Sequence, residues 1–414
     1  MSVQDERAAV CEPDVLLPQN CDMHKWSVVA CDQFTSDRSY WQKIDAEVGD
    51  APSALRLILP ECYLGDADVA EREQEIEKNM RDYVARGLFC AVQSFISVKR
   101  TFASGNVRTG LVAKVDLEAY DFAPERKARI RATEGTVESR LPPRVKIRSR
   151  SLLELPHILL LCDDPQNLVF AAAEKAAGKT LYDFALNGGG GHISGREITN
   201  GAALQAAFAA LEENMRARFG EDLLLLVGDG NHSLAAAKRC YEQAKAAGDP
   251  SAEQKRYALC EIVNLYDSGI VFEPIHRAVF GVDPALLAER LRARSTQFPR
   301  KAFLRGGGKT YEYRLPADPI AAVAFVQDFL DTDEVAKKGT VDYIHGDDAL
   351  AALGERADCA AISLPPISKN GFTEYIVQNG ILPRKTFSMG NAEEKRYYLE
   401  ARLIGRIEKD TFTK

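Results

Sequence analysis

The sequence predicts a mixed α/β (α+β) protein built as two units, a core over residues 1–285 and a smaller α/β unit over residues 286–414. Three observations lead there. The first is Leu223–Lys238, where a Leu/Val run gives way to Gly228-Asp229-Gly230-Asn231-His232-Ser233 and then to an Ala-rich stretch. An unbroken apolar run reads as a buried strand and the Ala-rich stretch as a helix, so the polar hexapeptide is a strand-to-helix turn. The second is a change of texture, β-rich at first and then, beyond residue 283, short helices and strands in alternation. The third is that 414 residues at 46% hydrophobic and 27% charged have the length and composition for two domain cores.

Residues 1–65 read as short strands and turns, with Trp26–Cys31 as one strand leading into a polar turn. Charge-rich helical spacing over 66–87 ends at Gly87, a C-terminal cap. Residues 89–100 and 107–117 are strands joined by a hairpin at Ser104-Gly105-Asn106. The Arg/Lys-dense stretch 126–150 reads as strand–loop–strand, or as a loop passing over a site. A helix over 166–179, a strand over 181–187, a tetraglycine turn before His192 and a helix over 200–219 follow. After the strand at 223–227 and a helix to about 248 comes a strand at 257–265. The later alternation places helices at 284–296, 318–332, 347–355 and 371–379, strands at 309–315, 340–345 and 359–364, and a charged last helix at 392–401.

The turn after Val227 carries the chemistry. A strand that ends in glycine and opens a helix aims free N–H groups and the positive helix end at one point, which is anion-binding geometry. Gly228, Gly230, Asn231 and Ser233 are the candidate phosphate ligands, Asp229 a candidate metal ligand or hydroxyl-steering acid, and His232 a donor or proton carrier. The plainer alternative is that Asn231 or Ser233 merely caps the helix. Arg131, Arg140 and Arg144, with Lys146 and Arg148 nearby, either form an anion pocket on an otherwise acidic chain or pair with carboxylates on a solvated face. Glu134 among them stays ionised and suits a base or metal ligand, and it or Asp32 would orient an acceptor. His276 and Arg277 alternate faces if extended, so one of them is a phosphate contact. Lys385, in the basic loop Arg384–Gly390, belongs to a lid or clamp, or to an exposed turn.

Two glycine clusters are set aside. Arg305-Gly306-Gly307-Gly308-Lys309-Thr310 has Phe303 where a phosphate loop needs glycine and leads into a strand, so it reads as a hairpin. The tetraglycine at 188–191 lacks the dinucleotide spacing. A net charge of −7 argues against nucleic-acid binding, and no apolar run is long enough to span a bilayer. The start of the chain lacks signal-peptide character, and nine cysteines without a C-x-x-C pair read as reduced thiols in a cytoplasm, with Cys31 a buried structural thiol.

Gly228–Lys238 resembles the Asp-Gly-His-His-Arg loop of the DUF1015 family (domain of unknown function 1015). Lys25–Ser36, Ile130–Val137, Pro274–Arg277 and Leu382–Gly390 resemble further blocks of its longer members. More distantly, the loop is similar to that of the ParB/sulfiredoxin superfamily, which includes a free serine kinase and in which this loop cradles nucleotide phosphates. The resemblance implies a ParB/sulfiredoxin-like N-terminal core that binds a nucleotide or phosphorylated small molecule. It further implies an ATP- or ADP-dependent transfer of phosphate, with Mg²⁺, to a small hydroxyl acceptor. In this chain Asn231 stands at the first His and Ser233 at the Arg, and a hydroxyl cannot replace a bidentate guanidinium clamp. These departures favour the alternative, a non-catalytic ligand-sensing or interaction protein on the same fold.

Overall fold

A computed structural model describes residues 8–406. The chain divides into two compact units, residues 1–270 together with 392–414, and residues 271–391. This differs from the expected division at 285/286 in two ways. The strand Phe272–Phe280 belongs to the second unit's sheet, and the chain after residue 391 returns to the first unit. A reading along the chain assigns contiguous stretches and has no means to see a returning tail.

The first unit is built on a mixed ten-stranded sheet. Antiparallel strands 177–185, 192–198, 96–101, 107–116 and 257–264 make one side, and 159–162, 225–229, 130–131 and 120–121 continue it. The strand Leu225–Asp229 lies between Leu159–Cys162, antiparallel, and Ile130–Arg131, parallel, so its apolar residues are covered and buried. The hairpin at 104–106 joins the two strands assigned to it, whereas the tetraglycine turn joins Ala177–Ala185 to His192–Ile198, a strand the sequence reading does not include.

Helix ends follow their caps. Asn200 accepts from the Ala203 N–H to start Gly201–Phe219, and Gly220 in the left-handed region ends it. Arg38–Val48 is a helix where short strands and turns were expected, started by Asp37, which accepts from the Ser39 and Tyr40 N–H groups. Trp26–Cys31 is not one strand. Met23–Trp26 forms a helical turn capped by Asp22, and only Val28–Val29 is extended.

The basic stretch also differs. Its Arg/Lys density reads as strand–loop–strand or a loop, yet Leu141–Arg150 is a helix. Pro142 and Pro143 sit in its first turn, where no N–H is needed. Its cations reach Glu61 (from Arg144), Glu73 (from Lys146, 2.6 Å) and Glu154 (from Arg148).

The expected last helix at 392–401 is instead a short turn followed by extended chain. Tyr397–Tyr398 pairs with Val28–Val29, Ala401 bridges Leu16, and Arg402–Leu403 pairs with Leu153–Glu154. A surface helix would expose one face, whereas residues 395–402 are buried throughout. Arg396 and Glu400 sit 2.7 Å apart inside the fold, and Arg396 also lies 2.8 Å from Glu261. Gly110 makes room for that pair, since a Cβ there would fall 2.2 Å from Glu261 Oε1.

The second unit is a six-stranded sheet in the order 309–315, 300–306, 359–362, 272–280 and 340–345, with 387–389 added to 272–280. Helices Pro284–Arg294, Pro319–Thr332, Asp347–Gly354 and Phe372–Asn379 accompany it, close to the expected spans. Residues 306–309 form the hairpin expected of the glycine-rich run.

Candidate functional site

The strand-to-helix turn is tighter than the sequence suggests. The strand runs to Asp229, the helix begins at Asn231, and Gly230 alone makes the bend at φ +81°. A Cβ on Gly230 would lie 3.1 Å from Ile158 Cα and Cγ1, so conformation and space both require glycine. Asp229 Oδ1 accepts from the Gly230 N–H at 2.8 Å. Among the described residues the N–H groups of Asn231 and Ser233 have no partner, and the first helical turn carries no acidic residue. Asn231 Oδ1 is buried without a partner.

His157 is central to what surrounds this turn. It follows Pro156 and stands two residues before the strand Leu159–Cys162, whose Leu159 faces Asp229. Its Nε2 lies 3.2 Å from Ser233 Oγ and 4.0 Å from Asp32 Oδ2, and its Nδ1 lies 2.8 Å from the Tyr398 hydroxyl. Tyr398 Oη donates to Cys31 Sγ at 3.0 Å and accepts from the Cys31 N–H at 3.3 Å. With the phenolic O–H directed at sulfur, the oxygen accepts from His157 Nδ1–H; Nε2 faces Ser233 Oγ, and in the neutral imidazole it presents a lone pair there. Lys395 completes the cluster, 3.2 Å from Asp229 Oδ2.

The charges are held. Burial opposes ionisation of Asp32, but His157, the Gln33 amide at 3.0 Å and Lys395 together bring its carboxyl below the usual range. Burial pushes the Cys31 thiol up to about 12 and the Tyr398 phenol well above its ordinary value, so both stay neutral. A thiol so held is not a reactive thiolate, in keeping with the structural role expected for Cys31.

Beside His157 and Ser233 opens a cavity of about 160 Å³. Its wall is largely apolar, with Leu57, Leu59, Leu64, Met80, Ile147 and Leu155. Arg144, Arg148, Tyr398, His157, Ser151 and Ser233 line its polar part together with Glu61 and Glu154, the carboxylates that pair with the two arginines. Whole ligand sites usually enclose about 300–1,000 Å³, so this one takes one end of a ligand.

Asp32, Asp229 and Ser233 therefore come together, and Arg144 reaches the same cavity while paired with Glu61. His232 accepts from the Val137 N–H at 3.2 Å through Nε2 and ties down the segment that carries the half-buried Glu134. Arg131 turns elsewhere, to Glu221 at 2.7 Å and the Ala128 carbonyl at 2.9 Å, and Arg140 is exposed. His276, Arg277 and Lys385 belong to the second unit. There Arg277 is fully buried and donates to Gln327 and to the carbonyls of Ile275, Arg384 and Lys385, while Lys385 is exposed.

Among the described residues no three His, Cys, Asp or Glu side chains cluster to hold a metal ion. Both oxygens of Asp229 already face donors, so the residues present do not fit Mg²⁺ held by this acid. His157, Lys395 and Tyr398 have no counterpart in the sequence reading. The available signal was Pro156-His157 at the head of an apolar strand, one of only six histidines.

The chain belongs to the family described as "Protein of unknown function (DUF1015)", whose model matches residues 16–399. No curated protein matches it. Among solved structures, SbnI with a C-terminal truncation from Staphylococcus aureus is 11% identical, with TM-score 0.36, over 67% of this chain and 82% of that one. A free serine kinase in complex with AMP is 14% identical, with TM-score 0.39, over 70% and 90%. A conserved hypothetical protein from Pyrococcus furiosus is 14% identical, with TM-score 0.33, over 70% and 90%. Likeness at this level goes no further than a shared α/β character. Among the described residues no helix is long and apolar enough to cross a membrane.

Proposed function

We propose that the first unit binds a small phosphorylated ligand, a nucleotide first among candidates, with its phosphate at the start of the Asn231–Ala246 helix. One observation carries the reading: the helix start with unpartnered Asn231 and Ser233 N–H groups carries Ser233, whose hydroxyl faces His157 and lines a cavity with a largely apolar wall. Such a wall accepts the uncharged end of the ligand, while the helix start holds the charge. Phosphoryl transfer needs positioning, charge neutralisation and a group that moves a proton, and His157 is placed to be that group. The same turn is the basis for extending the family reading to the ParB/sulfiredoxin superfamily. We place the protein in the cytoplasm, in keeping with nine free cysteines.

Titration calorimetry of the full chain with ATP, ADP and CTP, with and without Mg²⁺, tests the reading. Binding of at least one with Kd below about 1 mM is expected. The absence of heat from all three would overturn it. The ion pairing of Arg131 and Arg144 favours the ligand-sensing alternative, because it removes two cations from a transition-state clamp. Binding with no turnover in any acceptor screen would select that alternative.

A further inference from the structure

His157 has a hydroxyl in front of it already, and that hydroxyl belongs to the protein. In a direct transfer, a general base faces the acceptor substrate. Here Nε2 faces Ser233 Oγ at 3.2 Å, with Asp32 Oδ2 4.0 Å from the same nitrogen. The imidazole is oriented on its other side by Tyr398 at 2.8 Å, and Tyr398 is itself fixed by two contacts to Cys31. A hydroxyl, a base and a group that orients the base, in that order, make an activated-nucleophile arrangement. Ser233 also lies on the helix start whose amides are unpartnered and on the cavity wall, so an electrophile bound there meets its Oγ. Asp32 is held ionised and stabilises the imidazolium that forms when His157 takes a proton.

We infer that Ser233 is a nucleophile that takes a phosphoryl group from a nucleoside triphosphate before passing it on, an inference that rests on the phosphorylated-ligand reading above. In the first step Ser233 Oγ loses its proton to His157 Nε2. A bond forms between Oγ and the terminal phosphorus while the bond from that phosphorus to the diphosphate oxygen breaks, releasing nucleoside diphosphate. In the second step an acceptor hydroxyl oxygen attacks the phosphoserine phosphorus, the bond from phosphorus to Ser233 Oγ breaks, Oγ takes back the proton held on His157 Nε2, and the acceptor's proton leaves to solvent water. Tyr398 acts as a positioning residue, by setting the His157 tautomer.

The test is rapid acid quench of the full-length chain mixed with ATP or CTP and Mg²⁺, followed by intact-mass and fragmentation analysis. Phosphoserine survives acid, which separates it from phosphohistidine. One phosphoryl group on Ser233 is expected, none in Ser233→Ala, and a group on the new hydroxyl in Ser233→Thr. His157→Gln should slow its appearance about a hundredfold or more. Tyr398→Phe should slow it about tenfold and shift the pH at half-maximal rate, which a purely structural role would not do. Nucleotide binding without phosphoserine, or phosphate on another residue, overturns this inference alone. Failure to bind any nucleotide overturns both it and the function proposed above.

Discussion

The two units each contain a strand that stops at one glycine and opens a helix, and they treat the helix start in opposite ways. In the first unit Gly230 links Leu225–Asp229 to Asn231–Ala246. In the second, Gly346 links Thr340–His345 to Asp347–Gly354. Both glycines have positive φ, +81° and +85°. At Gly346 the first turn holds Asp347 and Asp348, so the helix supplies its own negative charge, and Asp347 lies 3.1 Å from the buried His276. At Gly230 no acid occupies the first turn, Asp229 is turned back onto Gly230 and Lys395, and a cavity stands alongside. The two junctions share the strand–glycine–helix order and differ in the charge resident in the first helical turn.

The sharpest way to break the comparison is alanine at each glycine. Gly230→Ala meets both a strained left-handed φ and Ile158 at 3.1 Å, and should cost about 2–4 kcal/mol in denaturant unfolding. It should also abolish ligand binding. Gly346→Ala meets no atom within 4 Å and should cost only the backbone strain, about 1–3 kcal/mol, with binding intact. Equal binding by both variants would mean the first junction is merely structural.

Next comes transplanting the acid. Asn231→Asp gives the first junction the charge pattern of the second. Calorimetry should show about tenfold weaker binding of the anionic ligand, about 1.4 kcal/mol, although the helix itself gains about 0.3–1 kcal/mol. Unchanged affinity would remove the helix start from the site. The reverse exchange, Asp347→Asn, should lower the thermal stability of the second unit by about 0.3–1 kcal/mol and leave ligand affinity untouched.

The smallest effect is in pH. Burial lowers the His276 pKa, and Asp347 only partly offsets this. Below about pH 6.5 the unfolded chain binds a proton that the folded chain refuses, so stability falls with pH from there down to the folded value. Asp347→Asn should deepen that fall, because the carboxylate that favours the imidazolium is gone. A melting curve flat between pH 7 and 5 in both proteins would contradict this account.

The local signals in the sequence were sound where local physics decides. Apolar runs, Gly and Asn caps and the 104–106 and 306–309 hairpins place strands and helices within a few residues. The sequence misleads where long-range pairing decides. Arg144, Lys146 and Arg148 look like a phosphate clamp until Glu61 and Glu73, from a segment far along the chain, and Glu154, beyond the helix end, are seen opposite them. Lys395-Arg396-Tyr397-Tyr398 looks like a charged helix because the carboxylates that allow Arg396 inside lie at Glu261 and Glu400. The turn residues of the site were legible for the same reason, and its base and positioning residue were not.

The return of the chain after residue 391 has a consequence for biosynthesis. Lys395 and Tyr398 emerge from the ribosome only after the whole of the 271–391 unit, while Asp32, His157 and Ser233 wait far upstream. Domains tend to fold as they are translated, so the inserted unit can mature while its host is still open. Chains stalled or cut before residue 392 would carry a finished second unit and a first unit with the Val28–Val29 edge bare. A late closure of this kind leaves the cavity beside Tyr398 without one of its walls until residue 398 has been made.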